Sequence, residues 1–332
     1  VPEGWLERLL RPIVEDSNVS SATPMSSDAE ILTAPVNCSR FEPSLGQADA
    51  IDRIARQLNP NTAVADLPTG VGFCMALSKY WLETLPQLDV AFGRGYGEEV
   101  EWCRKVAQLG GRHVGIGNLY VEHRGGGSFE AEKVGRVRVN NRKIESRYPG
   151  YDQLVEAFRK TDPLIAPRLV LAIASIDKSE PVSVYISQRV GGGSEAWLNR
   201  QIEDHLENGN GCIVIRDGPS SEFCAIEVHT PSGSTSGAVA FEELKSYLSV
   251  SERLWINYSG LVTARAPLAF LENCLAIMRA RDRLSVYFHD FFPVCPSYNL
   301  ISADGKFCAI PQEQPCQTCY SRLAQTSGQR PE

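Results

Sequence analysis

Between residues 182 and 289, short apolar runs alternate with helical periods, and this alternation leaves few folds open to the chain. Residues 182–187 are an apolar, β-branched run, followed by the turn Val190-Gly191-Gly192-Gly193-Ser194. Residues 195–208 take a helical period and 212–216 are again apolar, so the segment reads strand, loop, helix, strand. The order returns in a strand over 254–258, a helix over 266–280 and a strand over 283–289. Strands separated by a helix are joined by a crossover, which makes them parallel neighbours. An α/β domain built on a parallel sheet is therefore expected from residue 182 onward.

The preceding residues are more varied. Trp5, Leu6, Leu9, Leu10 and Ile13 recur at helical spacing, and 49–58 restore that period. Residues 17–48, rich in Ser, Pro, Asn and Asp, read as loop with short extended pieces. A short buried strand is expected over 71–77, with Ser78 as the N-cap of the next helix. The helix after Gly97 should end at Gly110-Gly111, a C-cap signal. Residues 113–116 and 119–122 read as two short strands, and 128–149 as a basic helix carrying Arg136, Arg138, Arg142, Lys143 and Arg147. Tyr148-Pro149-Gly150-Tyr151 breaks that helix. Residues 152–177 are helical with interruptions at Pro163 and Pro167, and 177–181 form a polar linker. The expected organisation is a first domain over 1–150, a helical connector and linker over 151–181, and a second domain over 182–332.

With 332 residues the chain can bury two cores. A net charge of −7 argues against nucleic acid as its main partner, because phosphate backbones select basic faces. No run of eighteen apolar residues occurs, so no transmembrane segment is expected. Val1-Pro2-Glu3-Gly4-Trp5 lacks the basic start and apolar core of a secretory leader. The ten cysteines are scattered, several of them within apolar runs (Cys74, Cys103, Cys212, Cys274), as buried thiols of a reducing compartment would be. The expected location is the cytoplasm, including the inner face of its membrane.

Chemistry concentrates first between Thr69 and His123. Gly93, Gly95 and Gly97 loosen a loop directly before Glu98, Glu99 and Glu101, which open a helix, and His123 closes a strand-like run downstream. Moving a sugar from an activated donor needs a base for the acceptor hydroxyl, charge neutralisation on the departing diphosphate, and in-line positioning. A glutamate at a helix start can be that base, and the glycines let backbone approach the acceptor. The same acids also favour the positive end of a helix dipole, and a single histidine is commonly structural. The motifs "TGVGFCM", "FGRGYGEEVEWCRK" and "YVEHRGGGSF" fall in one order. In that order the segment over 1–150 resembles the second half of a family 2 glycosyltransferase domain of the GT-A fold. The resemblance implies Glu99 as catalytic base of an inverting transfer, with Glu98 and Glu101 as flanking acids. It implies an acceptor loop of Thr69, Gly70 and Gly72, leading with Gly97 to the base. It implies His123 as a ligand to a divalent metal, Mn or Mg, or to the donor diphosphate. The family's donor half, with its Asp-x-Asp motif, lies before the position of Val1, and no Asp-x-Asp occurs in this sequence.

A second set lies in the parallel-sheet segment. Gly191, Gly192 and Gly193 follow a strand and open a helix, where backbone N–H groups can meet an anion or a sugar. The dinucleotide fingerprint G-x-G-x-x-G is not met, and a tight packing turn accounts for the pattern equally well. With "SVYFHDFFPVCPSYNLISADGKFCAIP" downstream, residues 182–320 resemble the N-terminal domain of family 4 glycosyltransferases of Rossmann-like GT-B fold. That resemblance implies Gly191–Gly193, His289 and Asp290 as acceptor-binding residues. The donor domain of that family would follow residue 320. Taken together, the two resemblances describe a piece of a multidomain transferase that moves sugar from a nucleotide-sugar donor to a glycan or lipid-linked acceptor. The alternative is a non-catalytic sugar-binding or scaffold module.

Cys295, Cys308, Cys316 and Cys319 close the chain, the last two as C-x-x-C. Four thiols can hold a structural zinc, and free or paired thiols fit the same spacing. The basic residues at 136–147 can face a phosphorylated acceptor or simply form a solvated helix face.

Overall fold

The computed structural model describes residues 1–93, 97–124, 130–189, 191–292, 295, 297–302, 304–308, 316, 317 and 319, with backbone alone at 130–134 and 136. Two compact units emerge: Val1–Ile176 with Thr230–Gly237, and Asp177–His229 with Ala238–Glu332.

The first unit runs α1 (Trp5–Glu15), β1 (Val19–Ser26), α2 (Gln47–Ala55), β2 (Val64–Leu67), β3 (Ala76–Leu77), α3 (Lys79–Thr84), α4 (Glu98–Gln108), β4 (Arg112–Val121), α5 (Glu130–Arg147), α6 (Tyr151–Thr161) and α7 (Ile165–Ser175). Its sheet has the order β2-β4-β1-β3. The central pair β1 and β4 is parallel, and both outer strands are antiparallel to their neighbours.

β1 lies inside the segment whose composition reads as loop, yet every one of its residues is buried. Its polar side chains are tolerated because they are bonded. Ser20 Oγ donates to the Arg112 carbonyl (2.6 Å), and Ser21 Oγ lies 2.8 Å from Nδ1 of His113. His113 Nε2 in turn meets the Cys103 carbonyl at 2.8 Å, which makes Nε2 the protonated nitrogen. Burial lowers the His113 pKa to about 4, so the imidazole is neutral. The two short strands expected over 113–122 are one strand. Its register with β1 jumps from Pro24↔Ile116 to Met25↔Tyr120, and Gly117 at the irregularity donates to the Ala63 carbonyl at 2.7 Å. Of the strand expected over 71–77, only Ala76–Leu77 pairs.

α1, α2 and β4 are locked by one polar knot. Arg8 donates to both oxygens of Asp52 (2.9 and 2.8 Å) and to the Asn118 carbonyl, while Asp52 accepts the Tyr120 amide at 2.9 Å. α6 and α7, read from the sequence as a connector, fall within this unit. α7 is buried over Pro167–Ser175 and contacts α2 and β4, which explains its nearly unbroken apolar sequence. Pro167 sits in its first helical turn, where a missing N–H costs little, so no interruption occurs there.

The rest of the chain runs β5 (Val182–Ile186), α8 (Gly192–Glu207), β6 (Cys212–Asp217), β7 (Phe223–Thr230), β8 (Gly233–Ala240), α9 (Phe241–Leu248), β9 (Leu254–Tyr258), α10 (Pro267–Leu275) and β10 (Arg283–Val286), all in the second unit except Thr230–Gly237. Sheet order is β10-β9-β5-β6-β7-β8. The first four strands in that order are parallel, as the alternation predicted, and β7 joins antiparallel to β6. Both sheets thus contain parallel pairs, and the chain is mixed α/β. Among the described residues no helix is long and apolar enough to cross a membrane.

Candidate functional site

The carboxyl ends of β1 and β4 lie side by side because those strands are parallel. Beyond β1 the chain passes through Ser27, Asp28 and Glu30; beyond β4 it reaches His123. The two exits are tied together. Ser27 Oγ accepts the His123 amide at 2.9 Å, and His123 Nδ1 lies 2.6 Å from the Asp28 carbonyl. A carbonyl only accepts, so Nδ1 carries a proton, and in the neutral ring the lone pair is on Nε2. The His123 ring also stacks on Phe73, with centroids 5.1 Å apart and planes at 23°.

Glu99 enters from the start of α4. Gly97 takes φ 103° at the N-cap, where a Cβ would sit 2.9 Å from the Phe92 ring, so glycine is required. The Gly97 amide donates to Glu99 Oε2 at 3.1 Å, turning that carboxylate back over the helix start. Gly72 is exposed beside it: a Cβ there would lie 3.6 Å from the Glu99 carboxyl carbon. Burial pushes the Glu99 pKa up, and the negative charges of Glu98 and Glu30 push it further, against the amide bonds that lower it. A half-buried carboxyl with raised proton affinity beside open backbone is suited to accept a proton.

Other residues of the set are placed differently. Thr69 is buried and donates to the Gly70 carbonyl, while the Gly70 amide points to Cys103 Sγ at 3.4 Å. A Cβ on Gly70 would collide with Met75 Sδ at 2.2 Å, so this glycine serves close packing. Glu101 is buried and bound to Lys105 (2.8 Å), Arg147 (3.3 Å) and the Tyr148 hydroxyl (3.4 Å). It anchors α4 to the end of α5. Gly95 lies outside the described residues. Of the basic helix, Lys143 donates to the Ala91 carbonyl and Arg147 pairs with Asp89, while Arg138 and Arg142 line an open cavity of about 420 Å³.

Sequence reasoning missed Asp28, Glu30 and Phe73. Glu30 takes φ 48°, an uncommon backbone conformation for a glutamate. Asp28 and Glu30 line a cavity of about 330 Å³ with Cys38, Arg40, Val155 and Arg159. Only the pair of acids two residues apart, Asp28 and Glu30, signals this corner in the sequence, and reading 17–48 as loop hid it.

The divalent metal meets a partial fit. His123 has the tautomer of a metal ligand, with its other nitrogen donating to a backbone carbonyl. Among the described residues no group of three or more His, Cys, Asp or Glu is arranged to hold a metal. A cation here would be held by His123 Nε2 together with diphosphate oxygens and water, although Mg²⁺ and Mn²⁺ favour oxygen over imidazole ligands.

In the second unit, Gly191 and Gly192 take φ 76° and 79°, and a Cβ on any of the three glycines would meet open space. No side chain caps α8. His289 is exposed and packs on Trp197 with centroids 4.9 Å apart. Asp290 Oδ1 accepts the Phe292 amide at 2.9 Å. On β6, buried Arg216 pairs with Glu195 (2.9 Å) and Glu227 (3.0 Å). Among the described residues Cys295, Cys316 and Cys319 form no disulfide. Comparison with protein-family models, with characterised proteins and with solved structures gave no match to this chain.

Proposed function

We propose that the chain is a sugar-transfer module. In this reading the first unit is the acceptor and base-bearing part of a GT-A glycosyltransferase domain, and the second is a Rossmann-like domain of GT-B type. The observation that carries the proposal is Glu99: its proton affinity is raised by burial, its carboxylate is turned by the Gly97 amide, and it borders Gly72. Glu99 takes the proton of an acceptor hydroxyl. The freed oxygen forms a bond to the anomeric carbon of a nucleotide sugar, the bond from that carbon to the diphosphate breaks, and its electron pair leaves with the nucleoside diphosphate. Attack from the opposite side inverts the anomeric centre. In this reading His123, held at Nδ1 by the Asp28 carbonyl, serves the departing diphosphate through Nε2. Mn²⁺ or Mg²⁺, when bound, neutralises charge on the departing diphosphate. The acceptor is a glycan or lipid-linked saccharide.

The test is turnover of UDP-, GDP- and dTDP-sugars with Mn²⁺ or Mg²⁺ present. Glu99→Gln should lower kcat by about 10²–10⁴, the usual contribution of a general base, with substrate binding retained. Equal turnover by the variant removes Glu99 from the chemistry. Sugar binding without turnover in the parent favours the non-catalytic module.

A further inference from the structure

Two serine hydroxyls at the carboxyl edge of the second sheet are buried without a partner. Ser187 and Ser259 are each 1% exposed, and the Oγ of both, together with Gln188 Oε1, has no hydrogen-bond partner among the described residues. Leaving buried polar atoms unsatisfied costs stability, so such groups call for a ligand or ordered water. Their location is specific. β5 pairs with β6 on one side and β9 on the other, so the chain order reverses across β5. In open parallel sheets that reversal opens a crevice beyond the carboxyl ends, where ligands bind.

Ser187 and Ser259 flank this crevice. They lie one residue past the registered pair Ile186↔Tyr258, and the Ser259 amide donates to the Ile186 carbonyl at 2.9 Å. Alternation along β5 puts Ser187 on the face of Tyr185, whose ring packs against Trp197 and His205 of α8. Ser259 stands level with Ser187 beyond the parallel pair Ile186↔Tyr258 and so falls on the same face, the side on which α8 begins with uncapped amides at Gly192 and Gly193. Gly260 completes the floor. Its φ is 137°, and a Cβ there would sit 3.5 Å from Asp290 Oδ2 and 3.7 Å from Gln188 Nε2.

We propose that this crevice binds a hexose phosphate. Its phosphate lies on the α8 amides, and its hydroxyls engage Ser187, Ser259, Gln188 and Asp290. Helix N-termini favour anions, while a carboxylate, an amide oxygen and two hydroxyls suit a polyol. A free sugar phosphate and the sugar–phosphate arm of a nucleotide sugar share this chemistry. The site does not depend on Glu99, so a chain that turns over nucleotide sugar but binds no hexose phosphate loses this proposal alone.

Calorimetric titration of the full chain without divalent metal, using glucose 1-phosphate, UDP-glucose and inorganic phosphate, tests it. One of the two sugar phosphates should bind at least about tenfold more tightly than inorganic phosphate, and the tighter of them identifies the source. Ser187→Ala with Ser259→Ala should weaken that binding about tenfold or more while Tm holds or rises, because two unsatisfied oxygens are removed. If that pair does not fold, Gln188→Glu must weaken binding by charge repulsion. Failure of both sugar phosphates to bind, or unchanged binding in these variants, overturns the proposal.

Discussion

Arg168 gives the sharpest test of how the first unit holds its site corner. Its side chain is fully buried, and it donates to Asp162 through Nε (2.7 Å) and Nη2 (3.0 Å). The same guanidinium donates to the carbonyls of Ile31 (3.1 Å) and Thr33, directly after Glu30. Arg168→Met keeps the apolar stem but leaves Asp162 as a largely buried carboxylate without its partner. Breaking a buried pair from one side costs about 3–5 kcal/mol. For a unit of this size that lowers Tm by about 6–20 °C. Differential scanning calorimetry and urea unfolding measure it, and the 30–33 corner should lose amide protection first. Adding Asp162→Asn removes the stranded charge and tolerates the left-handed backbone at that position (φ 35°), so the double variant should recover part of the loss. A single variant within about 1 kcal/mol of the parent, or a double variant as unstable as the summed singles, would refute the reasoning.

Gly97→Ala should destabilise by about 1–3 kcal/mol, because φ 103° is strained for alanine and its Cβ meets the Phe92 ring; chemical denaturation that finds no change removes the packing argument. Burial alone would raise the Glu227 pKa, but the adjacent His229 ring, 3.6 Å away, and the guanidinium groups of Arg216 and Arg189 hold it down at about 2. Because the folded value lies below the ordinary 4.5, its stabilisation is present above that pH and is lost as pH falls toward 2. That difference is worth roughly 3 kcal/mol, so Glu227→Gln should flatten acid unfolding in this window, and an unaltered acid transition counts against it. Cys295, Cys308, Cys316 and Cys319 are not gathered into a metal-holding group among the described residues; a structural zinc drawing them together would appear as one bound zinc by native mass spectrometry, lost in Cys316→Ser with Cys319→Ser, and protein purified with zinc yet free of it discards the idea.

How much could be read from residues alone varied with the kind of burial. In the second unit the core is apolar and periodic, so β5, β6 and β9 fall where their sequences place them. β1 escaped detection because its burial rests on serines satisfied by Arg112 and His113, partners about ninety residues away. Local composition carries no trace of such distant bonds. At the site, the turn at Gly97 and the carboxylate after it were legible because a left-handed N-cap demands glycine. The separate roles of Glu99 and Glu101 were not. Two residues apart on a helix, they point to different surroundings, and Glu101 is claimed by Lys105 and Arg147. Gly70 and Gly72 divide likewise, one packed on Met75 and the other beside Glu99.

The central claim is that Glu99 is a carboxyl kept ready to accept a proton. The most direct measurement is a ¹³C NMR titration of glutamate carboxyls in the full chain, with Glu99 assigned by the signal missing in Glu99→Gln. The account predicts a midpoint above the ordinary 4.5, brought closer to normal by Glu98→Gln, since the Glu98 charge is one of the forces raising it. A midpoint at or below 4.5 would contradict the account.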